Sequence, residues 1–323
     1  MNLEKFTNLL LNYISKTKKI VLYVHVTPDC DAIGSAFAML NFIKFNYKNK
    51  DVRIAGLNKL NTSYLPPFFQ NQYQEVDENF VKDAMSIVFD TANYERIYDK
   101  QFFNKKNSFR IDHHLFIKEI CEYELINDDA SSTCELVSLI FKHSKLKLNS
   151  ITANSLYFGI LTDTIRFLTP NTNSNTYLVM NWLESKKILN KKLVHDQLYL
   201  RTLADVKFDK KISRYIKYKN HYALMIIDKH KIKKINPNEL KNKMYLLSGL
   251  EEIYIYGIIY YDATTNVYKG SLRSRDYNVN LIAKKFNGGG HKYASGLKLN
   301  NKKDINVLET EIQKNLLLKD KYE

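Results

Sequence analysis

Residues 19–27 read Lys-Ile-Val-Leu-Tyr-Val-His-Val-Thr, an apolar, β-branched run without polar alternation that stops at Pro28-Asp29. Such a run suits a strand buried on both faces, which is the habit of parallel sheets. Parallel strands cannot be joined by tight turns, and each needs a crossover, usually a helix. The chain supplies one at once. Over residues 31–45, Ile33, Phe37, Leu40 and Ile43 fall at helical spacing. Further short strands are expected at 52–56, 85–90 and 109–112, and helices at 131–142 and 151–161. Ser132 and Glu135 form a capping-box pattern at the head of the first of those helices. The alternation predicts an α/β domain with a mostly parallel sheet flanked by helices. Ahead of it, Leu3, Phe6, Leu10, Tyr13 and Ile14 space an amphipathic helix, not the apolar core of a signal peptide.

The second half has another rhythm. After a polar loop at 170–175, helical segments are expected to about residue 218, with a break at 185–192. Strands at 221–227, 253–261 and 267–273 follow, the last two joined by a short turn at Asn266. A helix at 279–286, a Gly-rich loop, a strand at 294–299 and a C-terminal helix complete a smaller mixed α/β domain. The expected division is 1–185, a helical linker at 186–215, and 216–323. A chain of 323 residues, 45% hydrophobic, can fill two cores. Its longest apolar run is about half of the ~18–20 residues a membrane span needs, so no membrane partner is expected. Three cysteines, an odd and scattered count, fit a reducing cytoplasm. The net charge is +15, and residues 186–250 hold 17 lysines and arginines against five acids. That stretch is either an electrostatic funnel for a polyanion or a product of lysine-rich composition.

The chemistry gathers where strands end. His25, Asp29 and Asp31 follow the first strand, and residues two apart in extended chain face the same side. Asp90 ends another strand, and Asp112-His113-His114 a third; Asp163 closes the helix at 151–161. In open parallel sheets, ligands collect beyond the carboxyl ends of the strands. Carboxylates crowded there repel one another unless cations neutralise them. Oxygen and imidazole donors without thiolate suit a pair of divalent cations, Mn²⁺ first, with Mg²⁺, Co²⁺ or Fe²⁺ as alternatives. Cys30 is read as a packing residue, and His143, His195, His221 and His230 as surface. Farther on, Ser271-Leu272-Arg273-Ser274-Arg275 precedes Gly288-Gly289-Gly290-His291. Arg273 and Arg275 on one side of a strand suit a fork-like grip on phosphate, and the glycines let backbone N–H groups approach one.

These motifs, in this order, resemble the DHH phosphoesterase superfamily, and Gly288-Gly289-Gly290-His291 resembles its C-terminal DHHA1 domain. The likeness spans nearly the whole chain, and the arrangement is similar to the stand-alone oligoribonuclease and pAp-phosphatase branch and to related cyclic-dinucleotide phosphodiesterases. It implies one Mn²⁺ held by His25, Asp29 and Asp90, and a second held by Asp31, Asp90, His113 and Asp163, with Asp90 bridging. His114 would face the scissile phosphate with Arg166, and Asp112 would orient the histidines. Ser271, Arg273, Arg275, Gly288, Gly289, Gly290 and His291 would hold substrate: short RNA, pAp, pApA or, alternatively, cyclic di-AMP. A non-catalytic nucleic-acid-binding protein and a pyrophosphatase are the rival readings, and a homodimer is the expected assembly. Two positions depart from the pattern: Ile165 and Asn287 stand where these enzymes often carry glycine.

Overall fold

The computed structural model describes residues 1–55, 69, 74, 76–232, 235, 240 and 243–319. They form two compact units, Met1–Leu200 and Arg201–Glu323.

In the first unit, β1 (Lys19–Tyr23), β2 (Asp51–Ile54), β3 (Ala84–Phe89), β4 (Ser108–Asp112) and β5 (Tyr123–Ile126) form one sheet in the order β2-β1-β3-β4-β5. Every pairing is parallel, as the unbroken apolar run at 19–27 predicts. β1 is shorter than that run. After Val24 the chain leaves β3 and bonds to the segment at 96–98, with Val26 N donating to Arg96 O and Tyr98 N to Val24 O. Thr27 then turns it with φ +56°. The end of the expected strand at 52–56, Gly56, lies outside the described residues. β5 is an edge strand that the sequence reading lacks; four residues of mixed polarity carry no periodic signal.

The crossovers and flanking layers are α1 (Leu3–Lys16), α2 (Cys30–Asn46), α3 (Glu78–Val81), α4 (Thr133–Ser144), α5 (Ser150–Asp163), α6 (Ser174–Ser185) and α7 (Lys191–Tyr199). α1 packs Phe6, Leu10 and Ile14 inward, the stripe its spacing predicts. α2 is buried along almost its whole length, and it packs closely on α5. Two glycines allow that approach. A Cβ on Gly34 would stand 2.6 Å from Ser155 O, and one on Gly159 would stand 2.9 Å from Asp31 Oδ1 and overlap Cys134 Sγ. No helix among the described residues is long and apolar enough to cross a membrane.

In the second unit, α8 (Leu203–Ser213) precedes a six-stranded mixed sheet. Its strands are β6 (Ile216–Lys219), β7 (Tyr222–Ile227), β8 (Ile255–Asp262), β9 (Val267–Ser274), β10 (Gly289–His291) and β11 (Ala294–Leu299), in the order β10-β11-β9-β8-β7-β6. Only β7 and β8 run parallel. Asn266 turns the expected β8–β9 hairpin with φ +55°. The Gly-rich segment, expected as a loop, is instead the edge strand β10, with Gly289 opposite Gly296 and His291 opposite Ala294.

Candidate metal centre

The parallel order places the ends of β1, β3 and β4 side by side, so residues just past them meet. Asp90 lies at the middle, 2% exposed and in the left-handed region at φ +57°. Asp tolerates that conformation better than most residues, and such backbone recurs at functional sites. Three imidazoles surround its carboxylate. His25 Nε2 is 3.6 Å from Oδ2, His113 Nε2 3.4 Å from Oδ1, and His114 Nδ1 3.5 Å from Oδ1. Asp29 Oδ2 is 3.6 Å from His25 Nε2, and Asp163 Oδ2 3.5 Å from His113 Nε2. Three groups, Asp90-His113-His114, His25-Asp29-Asp90 and Asp31-His113-Asp163, each bring their donor atoms within 4.8 Å of one another.

The surroundings fix these groups. Asp29 caps α2, its Oδ1 accepting Asp31 N at 3.0 Å and Ala32 N at 3.1 Å. His25 and His113 spend Nδ1 on the carbonyls of Val26 (3.0 Å) and Ala130 (3.3 Å), which turns each Nε2 toward the carboxylates. A backbone acceptor on the far nitrogen is the usual way a ligating imidazole is oriented. His114 differs: its Nδ1 is 2.8 Å from Asp112 Oδ1, which also accepts His114 N. Asp112 is fully buried, with Arg110 Nη2 3.2 Å from its Oδ2, and Arg110 Nη1 is 3.4 Å from Glu124. The buried guanidinium thus stands between two carboxylates and pairs with the Asp112 oxygen that His114 does not use.

Asp31 is held by backbone. Its two oxygens accept Thr133 N at 2.7 Å and Cys134 N at 2.9 Å, the first amides of α4. Thr133 Oγ1 donates to Asp90 Oδ1 at 3.0 Å. The head of α4 thus reaches two carboxylates. The capping box expected there is only half formed. Ser132 accepts Glu135 N, but the Glu135 carboxylate turns to Ser131 and to Thr176 Oγ1 at 2.7 Å.

Electrostatics record the crowding. Burial, then Asp90 and Asp163, push the Asp31 carboxyl well above the usual range. Burial, then Asp29 and Asp90, do the same to Asp163. Burial disfavours the charged form of His25, but its bonds to Asp29 and Asp90 prevail and lift it to about 10. The cluster therefore holds protons that a cation could replace. Cys30, between Asp29 and Asp31, has its thiol pushed up to about 12 by burial and by Asp29. It stays protonated at neutral pH. The donor set of carboxylate oxygens and imidazole nitrogens fits divalent cations of the Mn²⁺ or Mg²⁺ kind.

The other expected residues have surroundings of their own. Arg166 is exposed, 5.5 Å over the Tyr199 ring, and makes no ion pair with the carboxylates among the described residues. His195 is half-buried, not a surface group, and hydrogen-bonds Tyr157 Oη at 2.7 Å. In the second unit, Arg273 Nη1 donates to Ser271 Oγ at 2.8 Å, and burial lowers the guanidinium's pKa. Arg275 lies past the end of β9, donating to Glu251 O at 2.6 Å with its guanidinium 5.1 Å from the Tyr254 ring centre. Gly288 would overlap Gly296 O if it carried a Cβ, and Gly290 needs φ +141°; a Cβ on Gly289 would meet nothing within 4 Å. The side chain of His291 lies outside the described residues.

Residues 19–160 match the DHH family, N-terminal domain, and residues 223–316 the DHHA1 domain. An uncharacterized protein of Mycoplasma genitalium is 34% identical over 298 residues, 90% of each chain. The bifunctional oligoribonuclease and PAP phosphatase NrnA of the same organism is 32% identical over 314 residues, 95% of this chain and 96% of that one. The chain belongs to the DHH family. Its class is hydrolase, acting on phosphoester bonds. An exopolyphosphatase-related protein from Bacteroides fragilis has the same fold, with a TM-score of 0.81 at 22% identity over 98% of each chain.

For a DHH protein, the two departures from glycine have a conformational meaning. Ile165 has φ +47° and Asn287 φ +50°, so both hold the left-handed backbone that glycine adopts freely. Asn tolerates it, whereas a β-branched Ile is strained there. Arg166 and Phe167 continue the same turn at φ +63° and +67°. Sequence reasoning also missed Thr133, Cys134 and Arg110. Backbone donors have no residue signature, and the one available sign was Arg110 itself, a charged residue between Phe109 and Ile111 two places before Asp112.

Proposed function

We propose that this chain hydrolyses short oligoribonucleotides to mononucleotides, and pAp to AMP, at the Asp90 cluster. The observation that carries the reading is one buried carboxylate approached by three imidazoles at 3.4–3.6 Å, with three further aspartates around it. A binding protein has no use for that arrangement. His25, Asp29 and Asp90 would hold one cation; Asp31, Asp90, His113 and Asp163 would hold the second, with Asp90 shared. Bound there, two Mn²⁺ ions would supply Lewis acidity that acidifies water and neutralises phosphoryl charge.

The chain's own residues do the rest. Asp112 holds His114 through Nδ1, so the ring's other nitrogen is oriented for a phosphoryl oxygen. Thr133 and the α4 amides keep Asp90 and Asp31 in place before substrate arrives, so no reorganisation is needed during reaction. Arg166, three residues beyond Asp163, is assigned a supporting contact to substrate. In the second unit, Ser271 steadies Arg273, which with Arg275 and the backbone of Gly288–Gly290 is assigned to the phosphate and base of the substrate's far end. Three free thiols, Cys30, Cys121 and Cys134, support placing this chemistry in the cytoplasm.

The test is product chromatography after incubation with Mn²⁺ and, separately, pApA, pAp and cyclic di-AMP. AMP formed fastest from pApA, with AMP also from pAp, is the expected result. Fastest loss of cyclic di-AMP would replace the substrate assignment, and no turnover of any of the three would remove it.

A further inference from the structure

The basic stretch is not used by the metal centre. Residues 203–232 carry eight lysines and arginines and three aspartates. Lysine-rich composition alone would leave those acids to neutralise their neighbours. They do not. Asp205 and Asp209 pair with Lys243, Asp209 pairs also with Arg201, and Asp228 pairs with Lys302. All three acids are taken by cations from outside the stretch, and they leave Lys207, Lys210, Arg214, Lys217 and Lys219 to solvent.

That surface has an order. Lys207, Lys210 and the C-cap Arg214 are exposed along α8 at i, i+3 and i+7, one face of a helix. Lys217 and Lys219 are exposed on one side of β6, which ends the sheet. None of these five enters an ion pair among the described residues. Two tyrosines border them, Tyr215 before β6 and Tyr218 on the side of β6 opposite Lys217 and Lys219. The Tyr215 ring sits 5.1 Å from the Arg214 guanidinium and 4.4 Å from Lys231 Nζ, and Tyr218 is 57% exposed on β6.

We propose that the α8–β6 face of the second unit is a docking surface for single-stranded nucleic acid, a site additional to the one that cleaves. The choice of RNA as its occupant rests on the proposed function. A strand of phosphates releases counterions onto unpaired cations, and the exposed Tyr218 ring at the sheet's edge accepts a base by stacking. Lysines on an edge strand also block unwanted strand pairing; that accounts for Lys217 and Lys219 but not for the helix. An anionic membrane would need an apolar face, and α8 shows only Leu203 and Val206, both in its first turn or just after it.

The test is fluorescence anisotropy with a labelled RNA of about 12 nucleotides, in EDTA, titrated between about 50 and 200 mM salt. The variant is Lys207→Gln, Lys210→Gln, Lys217→Gln and Lys219→Gln together, with the four Lys→Arg changes as a folded, charge-keeping control. Four lost phosphate contacts should flatten the slope of log K against log salt by about 3 and weaken binding more than tenfold at low salt. The arginine variant should keep both, and pApA turnover should be the same in all three proteins. An unchanged slope and affinity in the glutamine variant would overturn the proposal. So would a fall in its pApA turnover, because the surface would then belong to the cleaving site. Loss of sedimentation with anionic vesicles, with RNA binding intact, would assign the surface to lipid. Wild-type protein that binds the 12-mer but does not cleave pApA would sink the proposed function and leave this surface standing.

Discussion

Gly159→Ala sets two effects of opposite sign against each other at the metal centre. Position 159 is inside α5, where alanine is favoured over glycine by about 1 kcal/mol. On propensity alone the variant should be more stable. The packing says otherwise. The new methyl would stand 2.9 Å from Asp31 Oδ1 and 3.1 Å from Asp31 Cα, and would overlap Cys134 Sγ. Carbon and oxygen atoms pack at about 3.5 Å or more, so α2 or the head of α4 must move by several tenths of an ångström. Overpacking of this kind costs about 1–3 kcal/mol. The overlap involves three atoms of two residues and includes backbone, so the upper half of that range applies. The net loss is then about 1–2 kcal/mol, or roughly 2–8 °C in Tm for a unit of this size. Because Asp31 is what moves, the rise in Tm on adding Mn²⁺ should shrink as well. Calorimetry with and without Mn²⁺ reads both. Adding Cys134→Ala relieves the sulfur overlap but not the carboxylate one, so stability should partly return while the metal response stays small. A Gly159→Ala protein with higher Tm and an unchanged Mn²⁺ response would refute the steric reasoning.

Other consequences are as direct. His25, Asp31 and Asp163 all have raised folded-state pKa values. A raised value gives stability that is complete below the unfolded pKa and lost as pH rises through the folded one. For His25 that window runs from about 6.5 to about 10, so in EDTA the Tm should fall across it, and the Mn²⁺-induced gain should grow with pH; a flat or rising Tm in EDTA would contradict the assignment. Asp90→Ala removes the shared carboxylate and should lower kcat for pApA at least ~10²–10³-fold with the fold retained by circular dichroism; Mn²⁺-dependent turnover near wild type would move the centre elsewhere. Gly289→Ala meets no neighbour and should change stability by less than ~0.5 kcal/mol, yet raise KM for pApA about tenfold. Gly288→Ala should instead lower Tm, since its methyl would overlap Gly296 O; equal effects from the two would undo the distinction.

The sequence carried the sheet because burial on both faces leaves a run of apolar residues without alternation, as Ile20–Tyr23 does and as Ala84–Phe89 does but for Ser86. It carried the donors because Asp and His stand directly after them. Three things were hidden. β5 is too short and mixed for a period, and its place is fixed by pairing with β4. β10 looked like a loop because glycine disfavours strands, yet the ladder with β11 and the lack of room at Gly288 hold it extended. The turn after Asp163 carries no glycine to announce left-handed backbone, yet Ile165, Arg166 and Phe167 all adopt it, and Arg166 lies over the Tyr199 ring.

The grip of α4 on the Asp31 carboxylate comes from main-chain N–H groups of Thr133 and Cys134, while the Cys134 thiol reaches the Asp31 carbonyl. Any residue but proline carries that donor. For this contact, mutational drift at either position is limited by volume and not by chemistry. A saturation library across 133 and 134 should therefore accept small side chains of quite different polarity at 134, beside Gly34 and Gly159, while rejecting large ones. At 133, where the hydroxyl also reaches Asp90, it should favour serine and threonine.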